Sequence, residues 1–300
     1  MIENIRLQNV ETRANLTLDM VSTQDFILNL VDWGTVESTH HSYKYVNQIG
    51  VYVTGTSLET REVTITGWII AQTERQMTQR KSVLNRFFNP QQAIDLFYKS
   101  YELRFLPVRS VRYSTTIAEN NEVICKFSVE GFCPDPLFKE GEENRIAAAN
   151  TVGMFHFPLI ISQTPNPPGG VIFGLRKPSL IVAINNKGSV PVGMKIVFKA
   201  TGSLTNPSLV DVNTQKFFKV NKTMTSGETI EINTTIGEKK IVGTVSGVQS
   251  NYFKHRDLDS EWLQLAVGDN LLRYDAESGI ENLEVYIYFH NKYLEVQECY

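Results

Sequence analysis

A chain of 300 residues with 42% hydrophobic and 20% charged side chains is globular, is long enough for two cores and is not a disordered segment. Its net charge is -3 and neither half is basic, which excludes a dedicated nucleic-acid surface and leaves sequence-specific nucleic acid out of the expected partners. The longest apolar runs, "FPLII" and "LIVAI", fall far short of a membrane span, so no membrane insertion is expected. The opening "MIENIRLQNVETRANLTLDM" lacks the charged-then-apolar layout of a secretion signal, which predicts a soluble chain made in a cytoplasm. Three cysteines, Cys125, Cys133 and Cys299, are too few for a disulfide framework. They are read as free thiols, with a Cys125–Cys133 bridge as the alternative.

In chain order, residues 1–70 are mostly strand-like. "DFILNLVDW" is one apolar run, and "GVYVTGTSLETREVTITGWIIA" holds two alternating segments around a Thr/Ser turn. In the second segment Val63, Ile65 and Gly67 share one face, and Thr64, Thr66 and Trp68 share the other. Period two with many β-branched residues predicts a half-buried strand. "TERQMTQRKSVLNRFFNP" predicts a helix, with Thr73 as N-cap and Pro90 as its stop. Met77, Leu84, Phe87 and Phe88 fall on one face, while Arg75, Arg80, Lys81 and Arg86 mostly occupy the rest. That is an amphipathic helix laid against a sheet, its basic side facing solvent or an acidic neighbour.

Strands return with "IDLFY" and continue to "VEGF", with a hairpin tip at residues 119–122. The prolines of "CPDPLF" stop regular structure, and the charged, small-residue run "KEGEENRIAAAN" is read as the connection between domains. "GMFHFPLII" reads as a strand and "SQTPNPPGG" as a loop. From Ser179 onward at least seven short strands recur at roughly 8–12-residue spacing, the pattern of an antiparallel β-sandwich or jelly roll. Within them "EWLQLAVGDNLLRYDA" predicts a strand carrying Trp262, Leu263 and Leu265, a Gly-Asp-Asn turn, and a strand carrying Leu272 and Tyr274. The division expected is 1–138 and 139–300.

Catalytic grammar is sparse. His40, His41, His156, His255 and His290 have no metal-helix spacing, and no P-loop, GxSxG elbow or GxGxxG motif occurs. "DLDSEW" groups Asp257, Asp259 and Glu261 but lacks the Gly and final Glu of a calcium loop, so it reads as a solvated turn. No enzyme, metal or cofactor is expected. Tyr252, Phe253, Trp262 and Tyr274 raise a carbohydrate-binding alternative; the alternating pattern around Trp262 and Tyr274 favours packing.

Several motifs occur in an order that resembles the distal tail proteins of long-tailed (siphovirus-type) bacteriophages and prophages. They are "IGVYVTGTSLETREVTITGWI", the helix above and "VEGFCPDPLF" in the first half. In the second half they are "INNKGSVPVGMKIVFKATGSLTNPSL", "NKTMTSGETIEINTTIGEKKI" and "WLQLAVGDNLLRYDAESGIENLEVYIYFHNKYLEV". The resemblance implies a mostly β chain: an N-terminal β-sandwich with one flanking helix, similar to tail-tube subunits, and a C-terminal galectin-like β-sandwich. It implies a homo-hexameric ring at the virion tail tip, assembled in the bacterial cytoplasm. The ring would join the tail-tube protein to tail-tip, tail-associated lysin or baseplate proteins and let DNA through its channel. It supplies no catalytic residue. The His-Asn-Arg set and Trp-Gly-x-Glu of galectins have no counterpart, so it supplies no glycan site either. The rival function is a carbohydrate-binding baseplate module contacting the host cell wall. Residues singled out for packing or interaction are Trp68, Met77, Leu84, Phe87 and Phe88 in the first domain and Trp262, Leu265 and Tyr274 in the second. Strand edges around Val51–Val53 and Val63–Ile69 are the expected ring contacts.

Overall fold

The structure, a computed structural model, describes residues 4–20, 25–119, 122–148, 151–153, 174–176 and 180–296. The expected strand and loop at 153–170 lie largely outside these residues, as do His156 and Cys299. The chain forms two compact units, one reaching from the N-terminus to Gly141 and resuming at Tyr293, the other spanning Glu142–Lys292.

The first unit opens with β1 (Asn4–Asn9), β2 (Asn15–Asp19), β3 (Phe26–Asp32), β4 (Ser38–Tyr43), β5 (Tyr52–Leu58) and β6 (Arg61–Ala71). Helix α1 (Glu74–Phe87) follows, then β7 (Ile94–Tyr98), β8 (Tyr101–Pro107), β9 (Arg112–Glu119), β10 (Glu122–Cys133) and β11 (Phe138–Glu140). Seven strands run in the order β8-β7-β1-β2-β3-β6-β10, and β10 pairs back onto β8 through Gly131↔Pro107 and Phe132↔Leu106. The mostly β reading holds, and the sheet is a closed barrel rather than two facing layers. The position of β6 inside the sheet changes one expectation: it is paired with β3 on one side and β10 on the other, so Val63–Ile69 offers no edge.

Alternation along β6 sends Val63, Ile65 and Ile69 into the barrel core at 0–1% exposure. Gly67 sits directly opposite Phe127, and a Cβ there would meet the Phe127 ring at 2.5 Å; the missing side chain is what lets that ring fill the centre. Helix α1 begins where expected. The Thr73 hydroxyl accepts from the Gln76 N–H at 3.2 Å, and Gln76 reaches back to accept from the Gln72 N–H at 3.0 Å. Met77, Leu84, Phe87 and Phe88 are buried in this core, each contributing about 1.5–3 kcal/mol by removal from water.

The second unit holds β12 (Asn144–Ala147), β13 (Thr151–Gly153), β14 (Gly174–Arg176), β15 (Ile181–Asn186), β16 (Val192–Gly193), β17 (Lys195–Ala200), β18 (Leu204–Asp211) and β19 (Phe217–Lys219). It continues with β20 (Thr223–Met224), β21 (Thr229–Asn233), β22 (Lys240–Val245), β23 (Val248–Asn251), β24 (Gln264–Leu265), β25 (Gly268–Ser278) and β26 (Leu283–Phe289). A six-stranded sheet, β12-β26-β17-β21-β22-β23, and a five-stranded sheet, β15-β25-β18-β19 with β20 on β18, share one core and form an antiparallel sandwich. Ile196, Phe198, Ile232 and Ile287 come from the first sheet, and Ile184, Leu209, Leu272 and Tyr274 from the second.

The run read as an interdomain connection thus holds two short strands. β11 pairs with β8 in the first unit and β12 with β26 in the second, leaving Gly141–Glu143 as the joint. "ENLEVYIYFHNKYLEV" is likewise not one strand. It breaks at His290–Asn291, and β27 (Lys292–Tyr293) joins β11, so the chain end belongs to the first unit.

Candidate functional site

The feature of the first unit that its core does not explain is the hairpin β4–β5. Every residue of β4 is exposed, and on β5 only Gly55 is partly covered. Among the described residues the two strands pair only with each other. The hairpin carries large apolar groups into solvent: Tyr45 is 62% exposed, Val46 92% and Ile49 100%, with Tyr43, Tyr52 and Val53 near half. Tyr43 stacks on Tyr52 at 5.7 Å and meets Tyr45 edge-on at 5.0 Å. His40 and His41, one after the other on β4, each meet a separate β5 hydroxyl, on Thr56 and Ser57. A lone two-stranded ribbon is marginal in water, and a contiguous exposed apolar surface of this kind marks an interaction site.

The residues singled out from sequence separate into three environments. Met77, Leu84, Phe87 and Phe88 are barrel core, as are Leu265 and Tyr274 in the sandwich. Trp68 is half-buried on the outer face of β6, with the Lys126 ammonium 5.9 Å from its ring. Trp262 is also half-buried, and it does not stand on a strand: it precedes the two-residue β24. Its ring lies 5.0 Å from Phe218 and 5.8 Å from Phe253, with the Lys239 ammonium at 5.4 Å and the Arg256 guanidinium at 5.8 Å.

The expected Gly-Asp-Asn turn is instead the start of β25. The bend falls at Ala266–Val267, before Gly268 at φ +88°. Asn270 is 5% exposed and fastens that bend: its amide oxygen accepts from the Ala266 N–H, and its nitrogen donates to the carbonyls of Ala266 and Gly268. "DLDSEW" is a self-bonded turn. Hydrogen bonds from Asn221 and from the Asp259 N–H hold the Asp257 carboxyl below its ordinary pKa. Among the described residues no group of three or more His, Cys, Asp or Glu could hold a metal ion.

Arg61 was not among the expected residues, although it shares parity with Val63 and Ile65. It is 1% exposed. Its guanidinium donates to the carbonyls of Pro136 (2.7 Å), Trp33 (3.0 Å) and Gly34 (3.1 Å), donates to that of Leu294, and lies 4.6 Å from the Phe138 ring centre. Burial draws its pKa below the ordinary arginine value. Opposite it in register, Cys133 is a free thiol that burial pushes up to about 12; Cys125 is also free and buried.

The chain is thus a barrel followed by a sandwich, with an exposed apolar hairpin. The model of the phage tail protein RIFT-related domain matches residues 16–133, and that of the siphovirus-type tail component C-terminal domain matches residues 187–293. Together they cover about three-quarters of the chain. The chain belongs to the siphovirus-type phage tail proteins, in the distal tail protein family. Among solved structures the fold is similar to the Dit protein of phage SPP1, described as a paradigm of hub adsorption apparatus in phages infecting Gram-positive bacteria. That likeness has TM-score 0.65 and 15% identity, and covers 96% of this chain and 98% of that one. It is also similar to a chain of the phage P2 baseplate in its activated conformation with Ca, at TM-score 0.52 and 10% identity, over 99% of this chain and 100% of that one. No curated protein matches.

Proposed function

We propose that this protein is a structural hub. Copies close into a ring, six by analogy with the family, at the end of the tail tube. The ring joins the tube to tail-tip or baseplate proteins, among them a tail-associated lysin, and DNA passes through its channel. The role is scaffolding, not catalysis. The observation that carries this reading is the β4–β5 hairpin, whose Tyr43, Tyr45, Val46, Ile49 and Tyr52 meet water in the single chain. A neighbouring copy is the occupant that fits best. A ring uses a heterologous contact, one surface meeting a different one, and a projecting arm supplies half of such a contact. The hub role of the SPP1 protein, which shares this fold, supports the same reading.

Light scattering and negative-stain microscopy on the full chain test it. Wild type is expected as a closed ring. The triple variant Tyr43→Ser, Tyr45→Ser, Tyr52→Ser is expected as a monomer with both cores still melting cooperatively. A wild-type chain that stays monomeric at its solubility limit, or a triple variant that still closes the ring, overturns the proposal.

A further inference from the structure

The second unit carries a feature apart from the β4–β5 hairpin on which the proposed ring rests. A shallow cleft of about 290 Å³ opens along the edge of the six-stranded sheet, where Lys239, Lys240, Val242, Gln249, Asn251 and Phe253 meet. Register puts three of these on one face: Val242 lies opposite Asn251, and Thr244 opposite Gln249, while Ile241 and Gly243 point to the core. The aromatic wall follows from the glycine. A Cβ on Gly243 would meet the Tyr252 ring at 1.9 Å, so only glycine lets Tyr252 tuck beneath β22. The Tyr252 hydroxyl then donates to the buried Glu228 carboxylate at 3.1 Å. With Tyr252 fixed inward, the short 3-10 turn Phe253–His255 throws the next residue outward, and Phe253 is 47% exposed. The Asn251 amide oxygen accepts from the Phe253 N–H at 2.8 Å, which pins the turn, and Asn251 lines the cleft. Behind Phe253 stands Trp262, so the ring is braced by a half-buried aromatic and not loose in solvent.

The charges in the cleft are unequal. Lys240 is paired with Glu231 at 3.1 Å. Among the described residues Lys239 has no carboxylate partner, and its ammonium rests 5.4 Å from the Trp262 ring. The cleft therefore offers a flat apolar wall, two side-chain amides and one uncompensated cation. A pyranose ring matches the first two: its C–H face lies on an aromatic, and its hydroxyls exchange hydrogen bonds with amides. The cation asks for an anion on the same molecule, because a charge-assisted hydrogen bond is about twice as strong as a neutral one. We propose that this cleft binds an anionic saccharide, a sugar ring bearing a carboxylate or phosphate, with Phe253 as the stacking platform, Gln249 and Asn251 on the hydroxyls and Lys239 on the anion. The aromatics that suggested sugar binding in the sequence divide accordingly. Tyr274 is core, Tyr252 is an anchor, Trp262 is a brace, and Phe253 makes the contact.

The full chain is titrated with hyaluronan tetrasaccharide, with neutral chitotetraose and with inorganic phosphate. Calorimetry gives affinity, and tryptophan emission, compared with a Trp262→Phe variant, places the ligand beside Trp262. The acidic tetrasaccharide is expected to bind saturably and about tenfold more tightly than chitotetraose, the scale of one added ionic hydrogen bond. Lys239→Met removes that difference, and Phe253→Ala abolishes both affinities. Both side chains are exposed, so unchanged melting of the variants confirms that the fold is kept. The proposal is overturned if neither saccharide binds saturably, if neither substitution alters affinity, or if phosphate alone binds as well as the acidic saccharide, which would leave a bare anion site.

Discussion

Replacing Arg61 by alanine tests how the first unit is held together, because one side chain there ties four separate pieces of chain. The guanidinium joins the β6 start to the segment after β3 through Trp33 and Gly34, to the segment before β11 through Pro136, and to the returning C-terminus through Leu294. Alanine removes a 1%-exposed cation and leaves four carbonyls without their donor. A hydrogen bond to a charged group contributes about 1.5–3 kcal/mol net, and an orphaned buried acceptor costs about 1–3 kcal/mol. The four acceptors share one donor, so these costs do not add, and water reaches whichever carbonyl moves outward. A loss of about 4 kcal/mol is the resulting figure. For a unit of this size each kcal/mol moves the midpoint by about 3 °C, giving a drop of about 12 °C.

Scanning calorimetry of the full chain reads it as a shift of one transition, with the transition of the second unit unmoved. Arg61→Lys keeps a charge but cannot span the same acceptors, and falls between alanine and wild type. A shift under about 4 °C for alanine, against the ~3 °C per kcal/mol expected, would mean that the carbonyls find other donors and that Arg61 does not organise the unit.

Trp262→Ala should destabilise the second unit by about 2–3 kcal/mol, below the ~3–5 kcal/mol of a fully buried aromatic, because the ring is only half-buried; denaturant unfolding of that unit measures it. Glu277 offers a pH test. Hydrogen bonds from Lys219, first, and from Asn206 hold its folded pKa below 4.5. Its stabilising contribution is therefore complete above pH 4.5 and is lost as pH falls through the lower folded value. Glu277→Gln should flatten the acid limb of the stability curve of the second unit, and an unchanged limb would remove this pair from the account.

What could be read in the sequence was local. Thr73 and Gln76 mark the start of α1, and the alternation at Val63, Ile65 and Ile69 marks β6, because caps and period-two burial depend on neighbours within a few residues. What could not be read depended on distant partners. Barrel closure rests on Gly131↔Pro107, and nothing near either residue announces the other. The His290–Asn291 break hides in a run that alternates on both sides. Trp262 sits among alternating apolar residues, yet only Gln264 and Leu265 find a strand to pair with. Tyr52 and Val53 carry the residue types of a buried strand, and the structure leaves them in solvent. Arg61 is the one miss that parity alone could have found: it falls on the core side of β6, where a charge calls for a set of acceptors.

The closed barrel narrows how a ring can be built. An open sheet could join its neighbour edge to edge by backbone hydrogen bonds, the contact expected from Val63–Ile69. Here β3 and β10 occupy both sides of β6, and of the two regions named from sequence only Val51–Val53 remains exposed, on the hairpin. The hairpin keeps its own open strand edges, and its side chains add a second kind of contact. The available groups are aromatic and aliphatic, Tyr43, Tyr45, Val46, Ile49 and Tyr52, and their burial contributes about 25 cal/mol per Å2 without any requirement for strand register. An arm of this kind tolerates a change of register that a shared sheet would not. A one-residue slip in a sheet turns every side chain to the wrong face, whereas a cluster of three tyrosines and two aliphatics can repack. In the proposed ring the surface that receives the arm would set the contact by its shape, and the arm itself would need only to stay extended and apolar.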